Sequence, residues 1–237
     1  MIDMHCHMLP GIDDGPKTME QSLEMARYAV EHGTRCCVVT PHIQPGCYDN
    51  DSDSIRRIFE DFQSQLDAEK IPLQVGMAAE VRICAELPLL ISQGKIPFLG
   101  GWQEKRLILL EFPHDHITVG AEKLIDWLIQ RDILPVIAHP ERNQSVMRQP
   151  EKIDAFVKKG CLLQITADSV TGLFGEVSQK LALSLIQKGN ATLIATDAHN
   201  LHKRRPSLKA AYEMLLPIIG AAKAQALFIG NAEAMLS

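Results

Sequence analysis

The sequence predicts an α/β fold in which strands and helices alternate around a closed barrel, on three observations. Short β-branched runs alternate with longer stretches of helical period, the mark of βα units and a largely parallel sheet. No Pro/Ser-rich linker, repeat or compositional shift divides the 237 residues, a length that α/β barrels occupy as one unit. Imidazoles and carboxylates recur where the strand runs end. A single domain over residues 1–237 is expected.

The first strand is expected over Ile2–His7. The helix after it spans Thr18–His32, with Met19, Leu23, Ala26 and Val30 at spacings of three and four and Gly33 as its stop. Cys36–Thr40 forms the second strand. A helix from Ser52 to Lys70 follows, with Ile55, Phe59, Phe62 and Leu66 on one stripe and Asp51 or Ser52 as N-cap. Strands over Leu73–Glu80 and Leu107–Phe112 precede a helix over Val119–Arg131. The pattern then runs through strand Leu134–Ala138, helix Glu151–Lys159, strand Leu162–Thr166 and helix Val177–Lys188. Strand Ala191–Thr196 and helix Ser207–Leu216 complete it, and Ala221–Met235 reads as a further short helix on the outside.

Hydrophobic residues at 46 % and charged residues at 22 % are those of an ordinary globular chain. A net charge of -5 argues against nucleic acid or an anionic membrane as partner, because both need clustered Lys/Arg. The one basic knot, Lys203-Arg204-Arg205, is large enough for a single phosphate and no more. The six cysteines include the adjacent pair Cys36-Cys37 and no CxxC, and no signal peptide precedes the first strand. A reduced, cytoplasmic chain is expected. No apolar run approaches the roughly 20 residues of a membrane helix.

The chemistry gathers at the strand ends. His5 and His7 close the first run, His42 follows the second, and Glu80 and Glu111 end the third and fourth. His139 follows the fifth, and Asp197 and His199 follow the last. In a (β/α) barrel the C-terminal strand ends converge on one mouth, where active sites form. A lone histidine after a strand is more often structural than a ligand. Eight such groups at one rim are different, because crowded carboxylates repel and desolvate at high cost unless cations neutralise them. The period of two puts His5 and His7 on one face and turns Cys6 to the other, toward the core. Mixed imidazole and carboxylate donors suit Zn, Mn or Fe better than Ca or an iron–sulfur cluster. GxSxG, HExxH, P-loop and GxGxxG motifs are missing, as is a cysteine followed six positions later by arginine. Hydrolysis by this chain should therefore be metal-driven.

The stretches HCHMLPGIDDG, TPH, LLEFP, AHPER and TDAHN, with the strand-end Glu80, resemble the PHP (polymerase and histidinol phosphatase) superfamily. Within it the likeness is to the metal-dependent bacterial tyrosine-protein phosphatases of capsular and exopolysaccharide synthesis, and it runs from residue 1 to about Pro206. The resemblance implies a distorted (β/α)7 barrel holding three divalent cations, manganese first, with iron or zinc as alternatives. It implies His5, His7, Glu80 and Asp197 around one cation, and Glu80 as a bridge with Glu111 and His139 around a second. Asp14, His42 and His199 would hold the third, leaving Asp13 as a turn or cap residue. Arg142 and Arg204 fall where the family binds phosphate, with the register against Arg205 open. Tyr48 and Asn50 match residues near the mouth, Thr196 stands where a serine is common, and Asp168 follows the only strand without a proposed ligand.

The implied reaction is attack of a metal-bound hydroxide on phosphotyrosine, on the tail of a bacterial tyrosine kinase that controls polysaccharide export. Two other readings keep the metal site. One is a phosphoesterase acting on a small molecule such as histidinol phosphate, or a related amidohydrolase reaction, with the loops bearing Tyr48 and Phe174 setting cleft depth. The other is a non-catalytic metal-binding regulatory protein, disfavoured by a complete set of nine candidate ligands.

Overall fold

A computed structural model describes residues 1–237. Ten strands are present: β1 (Ile2–Cys6), β2 (Cys36–Val39), β3 (His42–Ile43), β4 (Gln74–Met77) and β5 (Glu80–Arg82), then β6 (Gly100–Trp102), β7 (Lys105–Glu111), β8 (Ile133–Ala138), β9 (Leu162–Thr166) and β10 (Leu193–Ala195). They form a mixed α/β structure with mostly parallel strands, in two sheets ordered β1-β2-β4 and β10-β9-β8-β7-β5-β3, with β6 antiparallel beside β7. The backbone also joins β1 to the end of β10: His7 N–H donates to Ala198 O and Asp197 N–H to His5 O, each at 2.8 Å.

One expected strand stops a residue early with a short strand beyond it, and another is broken in two. Cys36–Thr40 ends at Val39 and pairing resumes at His42, because Pro41 has no N–H to give a ladder. The third run breaks at Ala78-Ala79 and resumes at Glu80. Each break starts the following short strand on a candidate ligand, and His42 pairs in register with Glu80. The β6 strand, at a Gly-Gly-Trp run without alternation, was not expected from the sequence.

The helices follow their periodicity. Thr18 caps Met19–Glu31, and Asp51 caps Ser52–Ala68 through a capping box with Ser54. Glu151–Lys159 divides into a 3₁₀ turn, Pro150–Ile153, and helix Asp154–Lys158. The tail is Ala221–Gln225, a π-turn over Ala226–Gly230, and Asn231–Leu236. No helix is long and apolar enough to cross a membrane.

Helix and strand faces meet in a core cluster of 47 residues, which includes Leu23, Phe62, Ile125 and Leu181. A second cluster of 14 takes Ile2, Met4, Val38, Leu107, Leu109, Val136 and Leu193, and Ala232 and Met235 of the C-terminal helix join it. Strict alternation from Ile2 would put Cys6 with Ile2 and Met4, yet Cys6 lies in the larger cluster. A register shift between Asp3 and Cys6 reverses the phase. Asp3 fastens this irregularity, accepting from the backbone of Thr196 at 2.9 Å and of His5 at 3.4 Å and from the Thr196 hydroxyl at 2.5 Å. Irregularities of this kind re-aim side chains beside sites, and here the shift turns His5 and His7 inward.

Cys6 is fully buried, its Sγ 3.6 Å from Val38 O. Cys6→Ala is expected to keep activity within about twofold while costing roughly 1 kcal/mol of stability. Urea denaturation and a turnover assay check both, and a folded but inactive variant would contradict the facing of this thiol.

Candidate metal centre

The strand ends bring all nine candidate ligands into one region. Eight are buried and Asp14 is exposed enough to reach the mouth. Three groups of donor atoms each lie within 4.8 Å of one another: His5, His7, Glu80 and Asp197; His7, Asp14, His42 and His199; and His42, Glu80 and Glu111. The first is the set expected for one cation. The second is the expected Asp14, His42 and His199 with His7 added. The third has His42 beside the glutamates, while His139 Nε2 lies 2.7 Å from Glu80 Oε1 and 3.8 Å from Glu111 Oε1.

Chemistry of the donor atoms fits divalent cations. Buried polar atoms are nearly always hydrogen-bonded, but His42 Nδ1, Glu80 Oε2, Asp197 Oδ1 and His199 Nε2 are buried without a hydrogen-bond partner. All four are donor atoms aimed into the groups. Glu80 Oε2 lies 3.3 Å from the Nε2 atoms of both His5 and His7 and 3.1 Å from His42 Nδ1. Imidazole and carboxylate in this mixture suit Mn, Fe or Zn.

Charges are arranged to match. Burial opposes ionisation of Asp197, but Arg204, His5 and Arg142 outweigh it and hold the carboxyl well below its usual range. Glu80 is likewise held down against burial, first by His5 beside it. Burial pushes His42 and His139 down to about 4, so both are neutral and able to ligate at neutral pH. Glu111 is the exception. Burial, then the neighbouring Glu80, pushes it up to about 8, although Arg82 opposes them with contacts of 2.9 and 2.8 Å to Glu111 Oε2.

A pH dependence follows from these values. Glu111 in the metal-free protein keeps its proton below about pH 8, and a cation must displace it. His5 and His7, raised against burial by neighbouring carboxylates, also release protons on loading. Apparent Mn²⁺ affinity is therefore expected to rise with pH through the neutral range up to about 8. Calorimetry at pH 7 in two buffers of different ionisation enthalpy should show proton release, and a flat, proton-neutral titration would contradict it.

Two arginines border this centre. Arg142 and Arg204 both donate to Asp197 Oδ2, while Asp197 Oδ1 faces His5 and His7 at 3.3 and 3.4 Å. Arg142 also lies 4.3 Å from the centroid of the Phe174 ring. Arg205 turns away, with Nε on Leu201 O at 2.9 Å, so Arg204 is the member of the pair that faces the site. Tyr48 stacks on His42 at 5.4 Å and stands at the mouth. Asn50 clasps the loops, donating to Ile12 O at 3.0 Å and His42 O at 2.8 Å. Asp168 is half-buried, and burial pushes it up to about 6 against Arg204 and Arg142.

Some contributors escaped sequence reasoning. Asp13 serves the turn, accepting from Gly15 N–H at 2.9 Å, but it also pairs with His7 Nδ1 at 2.7 Å and does not cap the helix. A side chain at Gly15 would place its Cβ 2.7 Å from His7 O, so only glycine lets this loop lie against β1. Gln164 and Arg82, neither of them a usual metal ligand, carried no sequence signal. His139 (φ 31°) and Asp197 (φ 52°) hold left-handed backbone, uncommon for non-glycine residues and concentrated at functional sites.

The fold and site together define an α/β protein with a buried histidine–carboxylate centre able to bind metal at the C-terminal ends of parallel strands. The family model for capsular polysaccharide synthesis, CpsB/CapC, matches residues 1–237, and the chain belongs to that family. It is similar to tyrosine-protein phosphatase YwqE of Bacillus subtilis, 38% identical over 204 residues, covering 86% of this chain and 79% of that one. Tyrosine-protein phosphatase CpsB of Streptococcus agalactiae is 28% identical over 241 residues, covering 100% of this chain and 98% of that one. A solved chain from crystal structures of YwqE from Bacillus subtilis and CpsB from Streptococcus pneumoniae, described as unique metal-dependent tyrosine phosphatases, superposes with a TM-score of 0.92 at 36% identity. That match covers 100% of this chain and 94% of the other.

Proposed function

We propose that this chain is a metal-dependent protein-tyrosine-phosphatase acting in capsular or exopolysaccharide synthesis. The observation that carries the reading is Asp197: one oxygen faces the histidine cluster and the other receives both Arg142 and Arg204. A place for phosphoryl oxygens thus adjoins a place for cations. Kinship with tyrosine-protein phosphatases supports the same reaction.

His5, His7, Glu80 and Asp197 would hold one cation, Glu80, Glu111 and His139 a second, and Asp14, His42 and His199 a third. Manganese is the first choice among them, with iron or zinc as alternatives. Bound there, divalent cations supply an activated water and neutralise phosphoryl oxygens. Arg142 and Arg204 orient the phosphoryl group and stabilise its charge. Phe174 holds the Arg142 plane in place, and Tyr48 borders the substrate ring. A tyrosine leaving group, with a phenol pKa of about 10, departs with less protonation than an alkoxide needs. The substrate would be a flexible phosphotyrosine tail of a bacterial tyrosine kinase in the cytoplasm. The frame for this chemistry is a single-domain, distorted (β/α)7 barrel, a reading supported by the hydrogen bonds between β1 and the β10 end.

The test is phosphate release after chelation and re-addition of Mn, Zn or Fe, with a phosphotyrosine peptide, histidinol phosphate and a simple aryl phosphate compared. Metal-dependent release from the peptide is expected. Release confined to histidinol phosphate would overturn the assignment.

A further inference from the structure

We infer that Gln164 is a positioning residue for the cation centre, fixing two candidate ligands from different strands through one amide oxygen. The inference rests on the metal reading above. Gln164 stands on β9, which supplies no candidate ligand, and its side chain is fully buried among the strand ends.

Its Oε1 lies 2.9 Å from His5 Nδ1 and 3.2 Å from the backbone nitrogen of His139. A backbone N–H can only donate, so the contact with His139 identifies the amide atom there as oxygen. His5 Nδ1 must then carry the proton. Its Nε2 is left as the lone-pair atom, and it is Nε2 that faces Glu80 Oε2 and Asp197 Oδ1, both at 3.3 Å. The second bond bears on His139, whose left-handed backbone needs support from its surroundings (φ 31°, ψ 54°). Gln164 Nε2 is buried without a partner, so this amide is placed for what its oxygen does and not for full satisfaction.

The same device recurs at His7, just beyond β1. Asp13 Oδ2 accepts from His7 Nδ1 at 2.7 Å and from the His42 backbone N–H at 3.1 Å. Each acceptor joins the ring of His5 or His7 to the backbone of a histidine elsewhere. His7 belongs to two of the donor groups and has a carboxylate behind it, whereas His5 belongs to one and has a neutral amide. Partners of this kind set tautomer and ring orientation at metal sites, and their removal weakens metal binding about 10- to 100-fold.

The experiment compares Gln164→Met, which keeps the shape but loses the acceptor, with Gln164→Glu, which keeps an acceptor oxygen. Chelated full-length protein is titrated with Mn²⁺, and the visible absorption of the Co²⁺-loaded forms is recorded. Gln164→Met is expected to bind Mn²⁺ about 10- to 100-fold more weakly with an altered Co²⁺ spectrum, while Gln164→Glu stays within about threefold of wild type. Wild-type affinity and spectrum in folded Gln164→Met would overturn the inference and leave the metal reading standing. A wild-type protein that takes up no cation would overturn the metal reading itself. Should Gln164→Met fail to fold, zinc-loaded wild type decides by nitrogen-edited NMR. A slowly exchanging Nδ1–H on His5 supports the inference, and a freely exchanging one overturns it.

Discussion

Glu80→Gln is expected to remove nearly all metal-dependent phosphatase activity while leaving the fold in place. Both oxygens of Glu80 face the histidines: Oε1 lies 2.7 Å from His139 Nε2, and Oε2 lies between 3.1 and 3.3 Å from His5, His7 and His42. Glutamine has the same shape, so packing should survive. It brings neutral oxygen and nitrogen into a position that neighbouring imidazoles hold as a carboxylate. On the reading proposed above, two cations would lose a shared ligand and the negative charge that would offset them. Cation chemistry supplies several kcal/mol of transition-state stabilisation, and a loss of about 4 kcal/mol is roughly a thousandfold in rate. Metal analysis should find at least one cation fewer per chain, and circular dichroism should be unchanged. Full metal content with wild-type turnover would remove Glu80 from the centre.

The legible part of this protein is the part governed by period and by residue type. Hydrophobic spacing placed the helix after Thr18 to within a residue of its observed ends, and β9 over Leu162–Thr166 was expected with its observed limits. Eight candidate ligands stood out because imidazoles and carboxylates at strand ends are chemically conspicuous, and the ninth, Asp14, came from the family resemblance. The structure then brings all nine together. What escaped depends on phase and on partners distant in sequence. The shift between Asp3 and Cys6 is fixed by Thr196, which lies 193 positions away from Asp3. Asp13 reads as a turn residue because its local bond to Gly15 is one, while its bond to His7 needs the fold. Gln164 is invisible for the opposite reason, being neutral and common. Glu141, beside Arg142, is similar: it is fully buried, and its Oε1 accepts from Thr166 N–H at 3.0 Å and the Ser169 hydroxyl at 2.7 Å. It thereby ties the arginine's loop to the start of the helix over Ala167–Thr171.

Arg142→Lys separates the two halves of the site, because it should impair the reaction without emptying the metal centre. Arg142 has no donor atom for a cation. Its guanidinium reaches the outer oxygen of Asp197, with Cζ 4.3 Å from the centroid of the Phe174 ring, and its side chain is only 17% exposed. Lysine keeps the charge but presents a single ammonium, without the planar fork that grips two phosphoryl oxygens or the face that stacks on an aromatic ring. Removing one well-aimed donor from a charge-stabilising site costs about 10²- to 10³-fold in turnover. The same drop in kcat/KM for a phosphotyrosine peptide is expected, with metal content at wild-type level. Phe174→Ala tests how much of this is support from the ring: a cation–π contact at a partly exposed site contributes about 0.5–1 kcal/mol, so a loss of severalfold is expected. If Arg142→Lys instead loses metal, then Arg142 acts by holding Asp197 as a ligand. If it retains wild-type kcat/KM, the anion site lies elsewhere on the rim, and Arg204 alone is left to define it.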